Sequence, residues 1–128
     1  DEAGAGRWVY SRFGKWWRYT DGTFPVNVRL RIDGKVYRFG PRGYVVTGWY
    51  REGDQWSYYG LDGAQAFGWT RIRGTWYYFD PASGAMRTGW LTEGGYTYYL
   101  SSSGAMVTGP RWIDGKRYVF DRSGHLLT

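Results

Sequence analysis

The feature that most constrains this chain is that it repeats itself about every 20 residues. The clearest copy runs Gly68-Trp69-Thr70-Arg71-Ile72-Arg73-Gly74-Thr75-Trp76-Tyr77-Tyr78-Phe79, then Asp80-Pro81-Ala82-Ser83-Gly84-Ala85-Met86-Arg87-Thr88, and reaches Gly89-Trp90. Six units can be laid over one another, at about 7–27, 28–47, 48–67, 68–88, 89–108 and 109–128, after a short Asp1–Gly6 stretch that reads as linker. The last aromatic of each falls at Tyr19, Phe39, Tyr59, Phe79, Tyr99 and Phe120. A second column falls at Trp8, Arg29, Trp49, Trp69, Trp90 and Pro110, and a third at Trp16, Val36, Trp56, Trp76, Tyr96 and Arg117. A period this regular points to one small supersecondary unit used repeatedly.

That unit is a β-hairpin. Arg73-Gly74 can close a two-residue turn, with glycine supplying positive φ. The turn opposes Arg71 to Trp76 and Trp69 to Tyr78, and because side chains alternate along a strand these four share a face. Asp33-Gly34, Gly53-Asp54 and Asp114-Gly115 predict the same turn. The fifth unit is one residue shorter between columns and predicts a three-residue loop through Glu93-Gly94-Gly95, while the first is longer there. A lone hairpin is marginal in water, so the copies must stack. The fold expected is an all-β solenoid of about six hairpin repeats.

Composition says what is buried. Aromatics make up 22% of the chain and glycine 21 residues, while Leu and Ile are scarce, so the core must be largely Trp, Tyr and Phe. The last-aromatic column is aromatic in all six units, as a structural stack requires. The columns of Trp8 and Trp16 are aromatic in some units and hold Arg29, Val36, Pro110 or Arg117 in others. A column that can be lost without losing the repeat serves something other than the fold.

The sequence Gly-Thr-Trp-Tyr-Tyr-Phe-Asp followed by Ser-Gly-Ala-Met-Arg-Thr-Gly-Trp (Gly74–Asp80, Ser83–Trp90) resembles the choline-binding, or cell-wall-binding, repeat of Gram-positive surface proteins and phage lysins. It is also similar to the glucan-binding repeats of streptococcal glucosyltransferases and the repeats of large clostridial toxins. The resemblance covers about Arg7 to Thr128. It implies a left-handed superhelix of hairpins, a secreted protein at the bacterial cell surface, and ligand sites between successive hairpins. Each site would take the Gly-Trp tryptophan and first hairpin aromatic of one unit plus an aromatic from the next. Carried over, this gives Trp49, Trp56 and Trp76 as one site and Trp69, Trp76 and Tyr96 as the next. Trp90 and Tyr96 start a third, whose partner position holds Arg117. Two partial sites stand at the front, Trp8 and Trp16 with Val36, and Arg29 with Val36 and Trp56.

Such a constellation suits choline. A quaternary ammonium has no proton to donate, so aromatic faces rather than hydrogen bonds must select it. Arg51 and Arg71, opposite Trp56 and Trp76, are candidates for the phosphate linked to choline on a teichoic acid. The same indoles could stack on a glucan or other polysaccharide, with Asp54, Gln55, Gln65 and Glu93 as hydrogen-bonding groups. The formal charge of +6 favours an anionic partner. The aromatics follow a hairpin repeat rather than a nucleic-acid-binding fold, which argues against nucleic acid. Catalysis has little to stand on. Cysteine is absent, His125 is the single histidine, and Asp33, Asp62 and Asp114 precede glycine in turns. No phosphate loop, metal-ligand spacing or nucleophile motif occurs, so neither a cofactor nor enzymatic activity is expected of this chain. Mean hydropathy is −0.60 and no apolar run approaches the ~20 residues of a membrane span. No leader peptide is visible, so the sequence reads as a mature fragment.

Overall fold

The computed structural model describes residues 1–128. Twelve strands form six separate two-stranded antiparallel sheets, each a hairpin. They are β1 (Gly6–Ser11) with β2 (Gly14–Tyr19), β3 (Val28–Ile32) with β4 (Lys35–Phe39), β5 (Gly48–Glu52) with β6 (Gln55–Tyr59), β7 (Gly68–Ile72) with β8 (Thr75–Phe79), β9 (Gly89–Glu93) with β10 (Tyr96–Leu100), and β11 (Gly109–Ile113) with β12 (Lys116–Phe120). The fold is therefore all-β, and no sheet closes. Two compact units divide the chain, Asp1–Ala66 with the first three hairpins and Phe67–Thr128 with the last three.

All six hairpins close on a two-residue turn, and counted from that turn they keep one register. Trp8 opposes Trp17, Arg29 opposes Arg38, Trp49 opposes Tyr58, Trp69 opposes Tyr78, Trp90 opposes Tyr99 and Pro110 opposes Val119. This corrects two expectations. The fifth hairpin closes on Gly94-Gly95 alone, because Glu93 pairs with Tyr96. Both glycines have positive φ, 61° and 85°, the combination whose twist matches that of paired strands. With no third loop residue, β10 slides one place along β9. Leu100, not Tyr99, then enters the buried column, and Thr97, not Tyr96, stands in the register position of Trp76. The first hairpin is longer, but by a sixth residue in each strand at its open end, where Gly6 pairs with Tyr19, rather than between the columns; Arg12-Phe13 close it, and Lys15 rather than Trp16 takes that same position.

The buried column runs Phe39, Tyr59, Phe79, Leu100 and Phe120, none more than 2% exposed. Each bridges the link that follows its hairpin, at Val45, Gln65, Met86, Met106 and Leu126. That link ties hairpins together. In the first unit Val45 N donates to Lys15 O (2.9 Å) and Gln65 N to Val36 O (2.8 Å). In the second, Met106 N donates to Trp76 O (2.9 Å) and Leu126 N to Thr97 O (2.8 Å). Hairpins within a unit are thus joined through their links, not edge to edge. The first core gathers Trp17, Ile32, Tyr37 and Phe39 with Trp8 against them. The second unit holds Tyr78, Leu91, Tyr98 and Leu100 with Trp69 and Met106, and a further cluster around Val107, Ile113 and Phe120.

Residues Asp1–Gly6, expected as linker, are tied down. Ala3 N donates to Arg31 O (2.9 Å), Arg31 N to Asp1 O (2.8 Å), and the Trp17 indole to Gly4 O (3.0 Å). Gly6 already belongs to β1.

Two leucines separate core from surface. Leu100→Ala empties a fully buried position and is expected to cost about 2–5 kcal/mol. Leu61 is 98% exposed, and Leu61→Ala should stay within about 0.5 kcal/mol of the parent. Urea unfolding midpoints of the two variants measure the difference.

Candidate functional site

The second unit carries an open cleft of about 400 Å³ lined by Trp69, Trp76, Tyr98, Met106, Arg122, Ser123 and His125. Its walls follow from the hairpin geometry. Trp69 on β7 and Trp76 on β8 lie on one face, since Trp69 opposes Tyr78 and Arg71 opposes Trp76. The Trp69 ring sits edge-on to Tyr78 at 5.0 Å and meets Tyr98 of the next hairpin at 4.7 Å. Its indole Nε1 donates to Glu93 Oε1 (3.1 Å), which fixes the ring's rotation. Trp76 is less committed and 41% exposed, so its face is open to the cleft. Met106 arrives on the link whose backbone holds Trp76 O. Tyr98 is buried, and that burial, with help from the Glu93 carboxylate, raises its phenol pKa above the ordinary value. The ring therefore stays a neutral aromatic wall.

Tyr96, expected as the third ring of this site, does not line the cleft. Its register places it beside Glu93 at the hairpin tip, and it lies flat on His125, centroids 3.6 Å apart and planes within 5°. His125 lines the cleft instead, edge-on to Tyr98 at 5.3 Å. Asp121 orients it by accepting from the His125 backbone N–H (2.9 Å) and sitting 3.3 Å from Nδ1. His125 follows the turn at Arg122-Ser123, and where the earlier links carry Ala85 and Ala105 an imidazole reaches the aromatic wall.

Trp90 repeats the Trp69 arrangement one hairpin later, at 5.0 Å from Tyr99 and 4.9 Å from Tyr118. Thr97 occupies the Trp76 position there, so no second indole faces it. In the first unit, Trp49 and Trp56 stand perpendicular on β5 and β6, centroids 6.3 Å apart and each 39% exposed. Trp76, grouped with them from the sequence, belongs to the second unit.

The expected polar groups divide. Arg51 is engaged at its own hairpin tip, donating to Gly53 O (2.9 Å) with Asp54 at 3.8 Å. Gln65 is buried and accepts from Arg29 Nε (2.8 Å). The basic group that lines the cleft is Arg122, which the sequence did not single out. No three His, Asp or Glu side chains gather where a metal could sit, and no helix is long and apolar enough to cross a membrane.

Residues 46–88 and 87–128 match the family described as choline-binding repeat. No curated protein sequence matches the chain. Among solved structures, choline binding protein F from Streptococcus pneumoniae, determined in the presence of a peptidoglycan analogue, is 30% identical, with a TM-score of 0.87 over 97% of this chain and 46% of its own. CbpJ from the same species is 31% identical, with a TM-score of 0.86 over 97% and 46%. The endolysin from phage Cp-1 complexed with choline is 34% identical, with a TM-score of 0.71 over 99% and 38%. The chain thus spans less than half the length of these proteins.

The Glu93 contact is testable without a ligand. Glu93→Ala leaves the Trp69 indole N–H without its acceptor and should cost about 1–2 kcal/mol. The Trp69 indole N–H resonance should also move upfield. An unmoved resonance would show that Glu93 does not hold the ring.

Proposed function

The chain belongs to the choline-binding repeat family, and from that premise we propose that it is a non-catalytic attachment module. It takes choline groups of a teichoic acid into aromatic cages and so holds its parent protein at the surface of a Gram-positive cell. The observation that carries this reading is the cleft in which Trp69, Trp76 and Tyr98 converge beside Met106.

A trimethylammonium group fits such a cleft for two reasons. The negative faces of the rings attract the charge, and their apolar surface, with the methionine, accepts the methyls. Each face is worth roughly 0.5–2 kcal/mol depending on desolvation. Three faces give about 3–4 kcal/mol net, which is millimolar binding. One such site holds nothing firmly. Several sites on a polymer that displays many cholines gain roughly 10²–10⁴ in avidity, which is the use of a repeat. Arg122, on the rim, is the group positioned to meet the phosphate that accompanies choline on such a polymer.

Stacking on sugar rings is the competing use of the same indoles. It needs hydrogen-bonding groups around the ring, and two of those the sequence offered are engaged within the protein, Gln65 with Arg29 and Glu93 with Trp69.

Calorimetry with choline, ethanolamine and dextran tests the reading. Choline should bind with millimolar Kd, ethanolamine more weakly because it lacks the methyls, and dextran not at all. Trp76→Ala should weaken choline binding at the cleft roughly 2- to 30-fold. Dextran binding without choline binding would replace this reading with a polysaccharide-binding module. Arg122→Gln should lower affinity for phosphocholine while leaving free choline unchanged; equal affinities before and after would remove Arg122 from phosphate recognition.

A further inference from the structure

Strand register puts Lys15 where Trp76 stands. Val45 N donates to Lys15 O as Met106 N donates to Trp76 O, each at 2.9 Å. Around it the other walls are present. Trp8 meets Tyr37 of the next hairpin at 4.8 Å, as Trp69 meets Tyr98 at 4.7 Å. At this position, however, a cation replaces the second indole. The Lys15 ammonium lies 4.1 Å from the Trp8 ring centroid, 4.9 Å from Tyr37 and 5.9 Å from Tyr10. These are the distances at which a cation gains from an aromatic face.

We infer that Trp8, Tyr37 and Tyr10 form a cation cage filled by the chain's own Lys15 ammonium, and that it admits a quaternary ammonium once that ammonium is withdrawn. The inference rests on the aromatic-cage reading of the preceding subsection. Tethering explains why Lys15 prevails. A cation on a short tether acts at an effective concentration of millimolar or more, whereas a free ligand in such a cage binds with only millimolar Kd. Lys15 therefore occupies the cage first.

The surroundings agree. Burial lowers the Lys15 pKa, the Asp62 carboxylate opposes that shift, and the Lys35 ammonium adds to it. Tyr37 is buried against the same group, and burial, then Asp62, raises its phenol pKa, so it remains a neutral ring. An open cleft of about 450 Å³, lined by Tyr10, Phe13, Lys15, Val45, Leu61 and Asp62 among others, adjoins the ammonium. A trimethylammonium group has room to enter from that side. The side chain at position 15 thus decides whether the first hairpin binds a ligand or only braces itself.

Calorimetric titration of wild type and Lys15→Ala with choline tests this. The variant should bind one more equivalent than wild type, and adding Trp8→Ala should remove that gain. If wild type binds choline and a folded Lys15→Ala binds no more, the inference is overturned while the cage reading stands. If neither protein binds choline, the cage reading fails and the inference with it. A second measurement needs no variant. In wild type the Lys15 ε-methylene protons should be shifted upfield by the ring currents of Trp8 and Tyr37. Ordinary lysine shifts would overturn the inference even if Lys15→Ala does not fold.

Discussion

One contact recurs wherever hairpins stack within a unit and carry the tryptophan, namely the indole of one hairpin against a tyrosine of the next. It appears as Trp8 on Tyr37, Trp69 on Tyr98 and Trp90 on Tyr118, at 4.8, 4.7 and 4.9 Å. Each pair is worth about 0.5–1.5 kcal/mol beyond the area it buries. Beside the buried column from Phe39 to Phe120, these rings are the contacts by which one short two-stranded sheet packs on the next. Leaning one edge on a tyrosine leaves the indole's remaining face free to form a cage wall. The contact that joins hairpins and the wall that would meet a ligand are the same side chain.

Most of the architecture was legible because the period, the turns and the aromatic columns all point the same way. The register was not. Counting aromatics sets Tyr99 in the buried column, yet the column asks for apolar bulk, and Leu100 supplies it at 0% exposure. What decides is the turn. Gly94-Gly95 adopts positive φ at both positions and closes β9 on β10 with two residues. A sequence column cannot weigh that against one extra loop residue. A shift of one place in the other direction hid Lys15 behind Trp16 in the first hairpin, where the extra pair Gly6 with Tyr19 lies beyond the common register.

The site was legible in part for a related reason. Trp69 and Trp76 share a face by strand alternation alone, so the sequence sufficed to put them together. Tyr98 and His125 reach the cleft only after neighbouring hairpins pack. His125 gave no pattern to follow, since it stands in a column that holds Ala85 and Ala105 in the earlier links. Glu93 and Gln65 looked like ligands for a sugar, and the fold uses both internally.

If indoles serve both roles, their conjunction in the Phe67–Thr128 unit should be visible directly. The decisive measurement is intermolecular NOE spectroscopy of the protein with choline. The N-methyl protons should give cross-peaks to the Trp69 and Trp76 indoles, the Tyr98 ring and the Met106 methyl. Cross-peaks confined to other residues, or none at saturating choline, would contradict the account.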